Sequence, residues 1–357
     1  MTQSTYYINP QLFFLFEKGS LCLWKYEAHE QFEIEKDLMA LLVDIADGKN
    51  IDDQRPFIQD LLDNDVIASY PYNSTPWGWD KLSHIFHKGT QNVPELQEKR
   101  SKKDMINDFI GFSEGYADRK TPQDRIVESS SSIKLSKVED KLTTLPYLDT
   151  LKKRLTSRHF SGGSILEKEL STLLFYTFGE IHDKWEGVEE GIDLLGVRKS
   201  SPSAGGVHSI QAYVTVFNVE GIKPGLYLYE SKNHTLDFIH EKVDFDTLIA
   251  LMADQFYMEG LAFGVFMVSD LTRVWEKYLH SRAYREIFLD AGHLSQTLQL
   301  TATSLSLNTW VSGYFRDDDL INYLGITEEN KAPLLFVGIG KGNRTPLHPD
   351  MIEALKG

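Results

Sequence analysis

The 357-residue sequence predicts an α+β protein, a mixed sheet flanked by helices, with a small winged-helix-like domain at the N-terminus. Three observations carry this expectation. Strand-length apolar runs recur after residue 145. They alternate with segments of helical period. A polar stretch separates them from a shorter strand–helix–strand pattern at the front.

The front pattern occupies residues 1–98. Residues 11–28 read as one or two strands, aromatic and β-branched, around a Lys-Gly-Ser turn at 18–20. In FEIEKDLMALLVDIADGKN, Phe32, Leu38, Leu41, Leu42 and Ile45 have helical spacing, and Gly48 fits a C-terminal stop. A second helix is expected in RPFIQDLLDNDVIAS. Residues 97–141 then change character: EKRSKKD, DRKTPQDR and four serines at 129–132 bury little apolar surface. Residues 99–144 are therefore expected to be a linker or a mobile arm.

Residues 145–357 form the larger domain. Leu166 to Tyr176 is an apolar-periodic helix. AYVTVFNV (212–219) and GLYLYE (225–230) read as strands joined by a turn with Gly221 and Pro224, and FGVFMVSD (263–270) reads as a buried strand. A long helix is expected over Tyr284–Leu307, where Ile287, Ala291, Leu294, Leu298, Thr301 and Leu305 step by three and four residues. TWVSGYF (309–315) and PLLFVGIG (333–340) complete the sheet.

Composition narrows the function. A net charge of -15 argues against a broad nucleic-acid surface, and residues 30–66 carry few cations to face phosphates. Any anionic ligand needs a local basic cluster working against the global field. Cys22 is the only cysteine, which excludes an internal disulfide, a thiolate zinc cage and an iron–sulfur cluster on this chain. The start MTQSTYYINP has no secretion pattern and no apolar run reaches membrane-spanning length, so a cytoplasmic protein without a membrane partner is expected.

Four segments are candidates for chemistry. LKKRLTSRHF (151–160) has four cations and no acid. It fits a solvated basic helix start, or an extended segment with Arg154, Thr156 and Arg158 on one side, suited to a phosphate dianion. Ser201, Pro202, Ser203, Ala204, Gly205 and Gly206 form a loop entering a strand. It is either an ordinary surface turn or a place where a planar ligand meets backbone without a Cβ in the way. Lys277 and Tyr278 precede the long helix. They read as solvated first-turn residues, or as a base whose ammonium is depressed by burial and by its neighbours Arg282 and Arg285. The strand ending VGIGKGNR brings Lys341 and Arg344, a second pair of cations.

Taken in order, R-x-T-x-R-x-F, R-x-S-S-P-S-A-G-G-x-H, K-Y-L-x-S-R-A-Y-R-x-x-x-L-D-A-G-H and V-G-I-G-K-G-x-R resemble the nitroreductase superfamily. More narrowly they look like its SagB-type branch, the azoline dehydrogenases of ribosomally made peptide pathways. The resemblance covers about 145–345. It extends more loosely to WGWDKLSHIFHKGT (77–90), similar to that branch's aromatic stretch. It implies a nitroreductase-like FMN-binding fold. Arg154, Thr156, Arg158, Lys341 and Arg344 would hold the FMN phosphate end, and Ser201 through Gly206 would line the isoalloxazine edge. Many simple nitroreductases carry Asn where this chain has Gly206. Ser312 and Gly313 match the segment reaching the ring from the other side, and Lys277 and Tyr278 match the catalytic Lys-Tyr pair.

The implied reaction is oxidation of a thiazoline or oxazoline ring in a precursor peptide, with Lys277 as base and dioxygen as the terminal oxidant. The implied assembly is a homodimer with FMN at the subunit interface, and the resemblance allows a cyclodehydratase as a further partner. Two other readings stand beside it. The same fold could reduce an enone, a dehydroamino acid or a nitro group with NAD(P)H. The front domain could recognise a peptide by strand addition, or could cap the flavin domain; the cap is the preferred of these two.

Overall fold

The computed structural model describes residues 3–73, 77, 80–91, 111, 132–138, 145–182 and 198–356. Most of the expected arm at 99–144 lies outside the described residues. The chain divides into two compact units, residues 1–105 with 280–282, and residues 106–279 with 283–357.

The first unit is built on a three-stranded antiparallel sheet, β1 (Leu12–Glu17), β2 (Ser20–Lys25) and β3 (Glu30–Glu33), in that order. The Lys-Gly-Ser turn falls between β1 and β2, where Lys18 and Gly19 both have positive φ. Helix α1 (Lys36–Ala46) buries Leu41, Leu42 and Ile45, the apolar stripe read from the sequence, and Gly48 follows its end at φ +71. The second helix, α2 (Ile58–Asp63), is shorter than expected. The chain turns at Asp65 (φ 52), and Ile67–Ala68 leaves to pair with Tyr7–Ile8. Helix α3 (Lys81–Gly89) lies in the aromatic stretch, with Asp80 accepting from the Ser83 amide at 2.9 Å.

The second unit holds a seven-stranded sheet. Its strands are β4 (Ser132–Lys134), β5 (Ile210–Val216), β6 (Gly225–Glu230), β7 (Thr235–His240), β8 (Phe263–Asp270), β9 (Asn308–Ser312) and β10 (Lys331–Gly340). The order is β9-β10-β8-β5-β6-β7-β4, and every ladder in it is antiparallel. Parallel pairing enters through the bridge Thr156–Thr309 and the short pair of Ile165–Leu166 with Val219–Glu220. Strand β4 lies in the stretch expected to be an arm. Ile133 packs toward the core while Ser132 and Lys134 face out, a period-2 pattern too short to stand out among serines.

Alternation along the strands splits the core into two layers. Val214, Val216, Val265, Met267, Val337 and Ile339 pack against α5 (Glu167–Phe178) and the long α8 (Tyr284–Ser304). Tyr213, Phe266, Trp310 and Phe336 point the other way, against α6 (Phe245–Leu251) and α9 (Asp317–Tyr323). Helix α4 (Tyr147–Lys153) precedes the basic segment, and α7 (Leu271–Lys277) follows β8 directly. A last helix, α10, covers Pro349–Lys356. No helix among the described residues is long and apolar enough to cross a membrane.

Candidate functional site

The basic segment takes both forms that its sequence allowed. Residues 147–153 are helical, and the chain becomes extended at Arg154, which caps α4 with φ -60 and ψ 124. From there the segment runs beside the edge strand β9. Thr156 bridges Thr309, and the Ser157 amide donates to the Thr309 carbonyl at 2.8 Å. Ser157 is fully buried while Arg154, Thr156 and Arg158 are half-buried, so extended alternation puts the two guanidiniums and the hydroxyl opposite the packed side.

The C-terminal cations come back to this segment through backbone bonds. The Ser161 amide donates to the Lys341 carbonyl at 2.8 Å, the Ser157 hydroxyl donates to the Asn343 carbonyl at 3.2 Å, and the Arg158 amide donates to the Thr345 carbonyl at 3.1 Å. Arg344 therefore stands next to a residue bonded directly to Ser157. Arg158 also spends its guanidinium locally, donating to the Pro346 carbonyl at 2.6 Å and lying 5.5 Å from the centre of the Tyr257 ring. It pins the returning C-terminal segment.

Arg154, Lys341 and Arg344 have no ion-pair partner among the described residues. Elsewhere in this acidic chain, Lys49, Arg55, Lys88 and Arg316 sit on carboxylates. Beside the cluster, Thr309 is buried and its Oγ1 has no hydrogen-bond partner among the described residues. Unneutralised cations and an unsatisfied hydroxyl form a donor set that fits a phosphate monoester.

The glycine loop is organised from below by α8. The Ser201 hydroxyl donates to Thr297 Oγ1 at 2.6 Å, since Thr297 spends its own proton on the His293 carbonyl. The Ser203 hydroxyl donates to Asp290 Oδ2 at 2.5 Å and accepts from the His208 amide at 2.9 Å, and the Ala204 amide reaches Asp290 Oδ1 at 3.3 Å. Pro202 lines a small cavity under the loop with Lys199, Ser203 and Asp290. Gly205 (φ 55) and Gly206 (φ 67) turn the chain through left-handed conformations.

Lys277 and Tyr278 close on this loop. Lys277 Nζ donates to the Gly205 carbonyl at 2.5 Å. A Cβ on Gly205 would collide with the Tyr278 hydroxyl and stand 2.7 Å from Lys277 Cε and 2.9 Å from Nζ. Val207, Val274, Ala283 and Ile287 pack with Tyr278 into a small apolar cluster that fixes the loop, α7 and α8 together. A polar pocket of about 500 Å³ opens at this end of the sheet, lined by Lys199, His208, Gln211, Asp270, Arg273 and Lys331 among others.

The structure thus gathers the expected residues into two groups rather than one. Ile210, just after the loop, pairs with Ser269, whereas Val216 pairs with Phe263, which pairs with Ile339 beside the basic segment. Six residues of β5 separate the two ends, about 20 Å at strand rise. Helix α8 gives the same separation: Asp290 holds the loop and Ser304 ends beside β9, about 21 Å along the axis. Ser312 and Gly313 lie between, at the far end of β9. There the Ser312 hydroxyl donates to Gln255 Oε1 at 3.0 Å and accepts from the Tyr314 amide at 3.1 Å, and Gly313 lies beside Leu334.

Sequence reasoning missed Asp290. Its signal was a carboxylate on the apolar stripe of a helix, between Ile287 and Leu294.

The fold and its two groups define an α+β protein with helices on both faces of one sheet, a cluster of cations without ion-pair partners among the described residues, and a glycine loop under a Lys-Tyr pair. The chain belongs to the nitroreductase family, which matches residues 151–341. That is a family of oxidoreductases that generally bind FMN. MJ1384 of Methanocaldococcus jannaschii, a provisional nitroreductase by name, is 29% identical over 194 residues, 54% of this chain and 89% of that protein. TfxC, a trifolitoxin operon protein of Rhizobium leguminosarum bv. trifolii, is 24% identical over 216 residues, 59% of each chain. A solved structure from Anabaena variabilis, also provisionally called a nitroreductase, superposes with a TM-score of 0.53 at 24% identity, over 76% of this chain and 49% of that one. The similarity to TfxC is in keeping with the SagB-type resemblance of the sequence.

Proposed function

We propose that this protein is an FMN-dependent dehydrogenase that oxidises thiazoline or oxazoline rings of a precursor peptide to the aromatic azoles. The convergence of Lys277 and Tyr278 on the Gly205 backbone carries this reading. Arg154, Thr156, Lys341 and Arg344 would hold the FMN phosphate, with Arg158 as the clamp on the C-terminal segment. Ser201–Gly206 and Ser312–Gly313 would line the ring. When bound, FMN supplies the hydride acceptor. Lys277, in its neutral form, takes the proton from the ring's α-carbon, and Tyr278 orients the amine or relays that proton. The Gly205 carbonyl fixes the amine before substrate arrives. The polar pocket beside the loop has the size and mixed charge to take a stretch of peptide next to the ring.

The separation of the two groups supports a homodimer. About 20 Å of sheet is farther than the ribityl arm of one flavin spans, so a complete site takes its phosphate cluster from one copy and its loop from another. The similarity to TfxC, a trifolitoxin operon protein, supports a peptide substrate.

The test is Lys277→Ala assayed on an azoline-bearing peptide. The variant is expected to keep its yellow cofactor and to lose ring oxidation; azole formation at the wild-type rate would overturn the base assignment. Rapid bleaching of the wild-type flavin by NADPH without oxygen would instead favour an NAD(P)H-dependent reductase on the same fold.

A further inference from the structure

We propose that Asp290 is a positioning residue, which acts through Ser203 to set the Gly205 carbonyl against Lys277. The proposal rests on the dehydrogenase reading for its catalytic consequence, but the network is a property of the protein itself.

Asp290 lies on the inward face of α8, 6% exposed, with no ion-pair partner for its carboxylate among the described residues. Burial raises its pKa, and the Ser203 hydroxyl and Ala204 amide pull it back down as donors to the charged form. Both carboxylate oxygens are committed to the loop: Oδ2 to Ser203 and Oδ1 to the Ala204 amide. Ser203 in turn accepts from the His208 amide, which closes a ring of bonds around residues 203–208. Inside that ring stand three left-handed residues, Gly205, Gly206 and His208 at φ 47. A non-glycine residue in that region holds its conformation only where its surroundings fix it. Asp290 holds residues 203 and 204 of this ring from α8, while Lys277, at the end of α7, donates to the Gly205 carbonyl.

Asp290 touches neither the proposed ring nor the proton in flight. Its removal should therefore disturb the placement of Lys277 rather than the chemistry Lys277 performs. That separates it from a residue whose loss merely unfolds the domain, because α8 keeps its apolar stripe through Ile287, Leu294 and Leu298.

The experiment compares Asp290→Ala, Asp290→Asn, Ser203→Ala and the Asp290→Ala/Ser203→Ala double variant in the FMN-loaded full chain. Two readouts are taken: amide hydrogen exchange at Ala204 and His208, and kcat and KM for azoline peptide. Exchange at both amides is expected to rise at least tenfold in Asp290→Ala, and less in Asp290→Asn, whose amide oxygen keeps one acceptor. A fall in kcat of about tenfold or more is expected, with KM within about twofold of wild type, and the double variant no worse than the more impaired single one. Unchanged exchange in both Asp290 variants overturns the proposal, as do losses that multiply in the double variant. If Asp290→Ala does not fold, Asp290→Asn and Ser203→Ala decide by the same criteria. Should Lys277→Ala oxidise the ring as well as wild type, the catalytic reading fails, and the exchange data alone still judge the network.

Discussion

Lys277 Nζ donates to the Gly205 carbonyl at 2.5 Å, and a Cβ on Gly205 would stand 2.9 Å from that same nitrogen. A lysine and a backbone carbonyl held this closely make residue 205 a sensitive point in the protein.

Gly205→Ala should therefore be far more damaging to turnover than to folding. The left-handed φ of 55 costs a side chain about 1–2 kcal/mol, and the added Cβ would displace Tyr278 and Lys277. A loss of at least tenfold in kcat is expected, with the flavin spectrum retained and a Tm lower by a few degrees. Wild-type turnover in this variant would show that the Lys-Tyr pair need not sit on the loop.

Arg154→Ala and Arg344→Ala should weaken FMN while leaving riboflavin binding nearly untouched. A charge-assisted hydrogen bond contributes about 1.5–3 kcal/mol, so each variant should lose roughly 10- to 150-fold in affinity for FMN. Fluorescence titration of apoprotein with the two flavins measures the difference. Equal losses for both would move the phosphate away from this cluster.

Mixing two inactive variants tests the composite site. Arg154→Ala/Arg344→Ala and Lys277→Ala, unfolded together and refolded, should regain about a quarter of wild-type activity. Half of the dimers are mixed, and each mixed dimer rebuilds one intact site of two. No recovery, with mixed dimers confirmed by mass, would place cluster and loop of one site on a single copy.

His234 gives the fold a pH dependence on the acid side. Ser171 donates to the Ser136 carbonyl at 2.7 Å, so it must accept from His234 Nε2–H, and His234 Nδ1 accepts from the Tyr229 hydroxyl at 2.8 Å. Burial, with a smaller push from Lys134, holds the imidazole below its ordinary value, against the opposing Ser136 and Glu167. A histidine depressed in the folded state contributes stability that is present above about pH 6.5 and lost as pH falls through the folded value. The Tm of wild type should fall more steeply from pH 7.5 to 5 than that of His234→Gln, by about 1–2 °C for a partly screened group. Parallel curves would remove His234 from the account.

Much of the larger unit was legible because its elements are long and periodic. β5, β6, β8, β10 and α8 fall where their apolar runs lie, within two or three residues. The elements that escaped notice are short or polar. α6 and α9 have seven residues each, β7 alternates only weakly, and β4 hides behind a serine run. Candidate site residues stood out one by one, through local chemistry: cations without acids, adjacent glycines, a lysine before a helix. Their grouping was not. Register is a long-range property, and nothing in the order Arg154, Gly205, Lys277, Arg344 says that the first and last share one end of a sheet while the middle two share the other. Asp290 was hidden for the opposite reason. It stands between the apolar positions Ile287 and Leu294, and the loop above it gives a buried carboxylate something to hold.

For the composite site, the length of α8 becomes a dimension of the catalyst. In the proposed dimer, one end of the helix would hold a loop serving one flavin, and the other end would abut a cluster serving a second. The helix is a gauge block between two reaction centres, cut to about 14 residues from Asp290 to Ser304. One inserted residue would turn the loop anchor about 100° away from its partner while leaving every side chain of both centres chemically intact. Tolerance to substitution and tolerance to insertion should therefore part company along this helix. Outward positions should accept new side chains freely, and no position should accept a change of length.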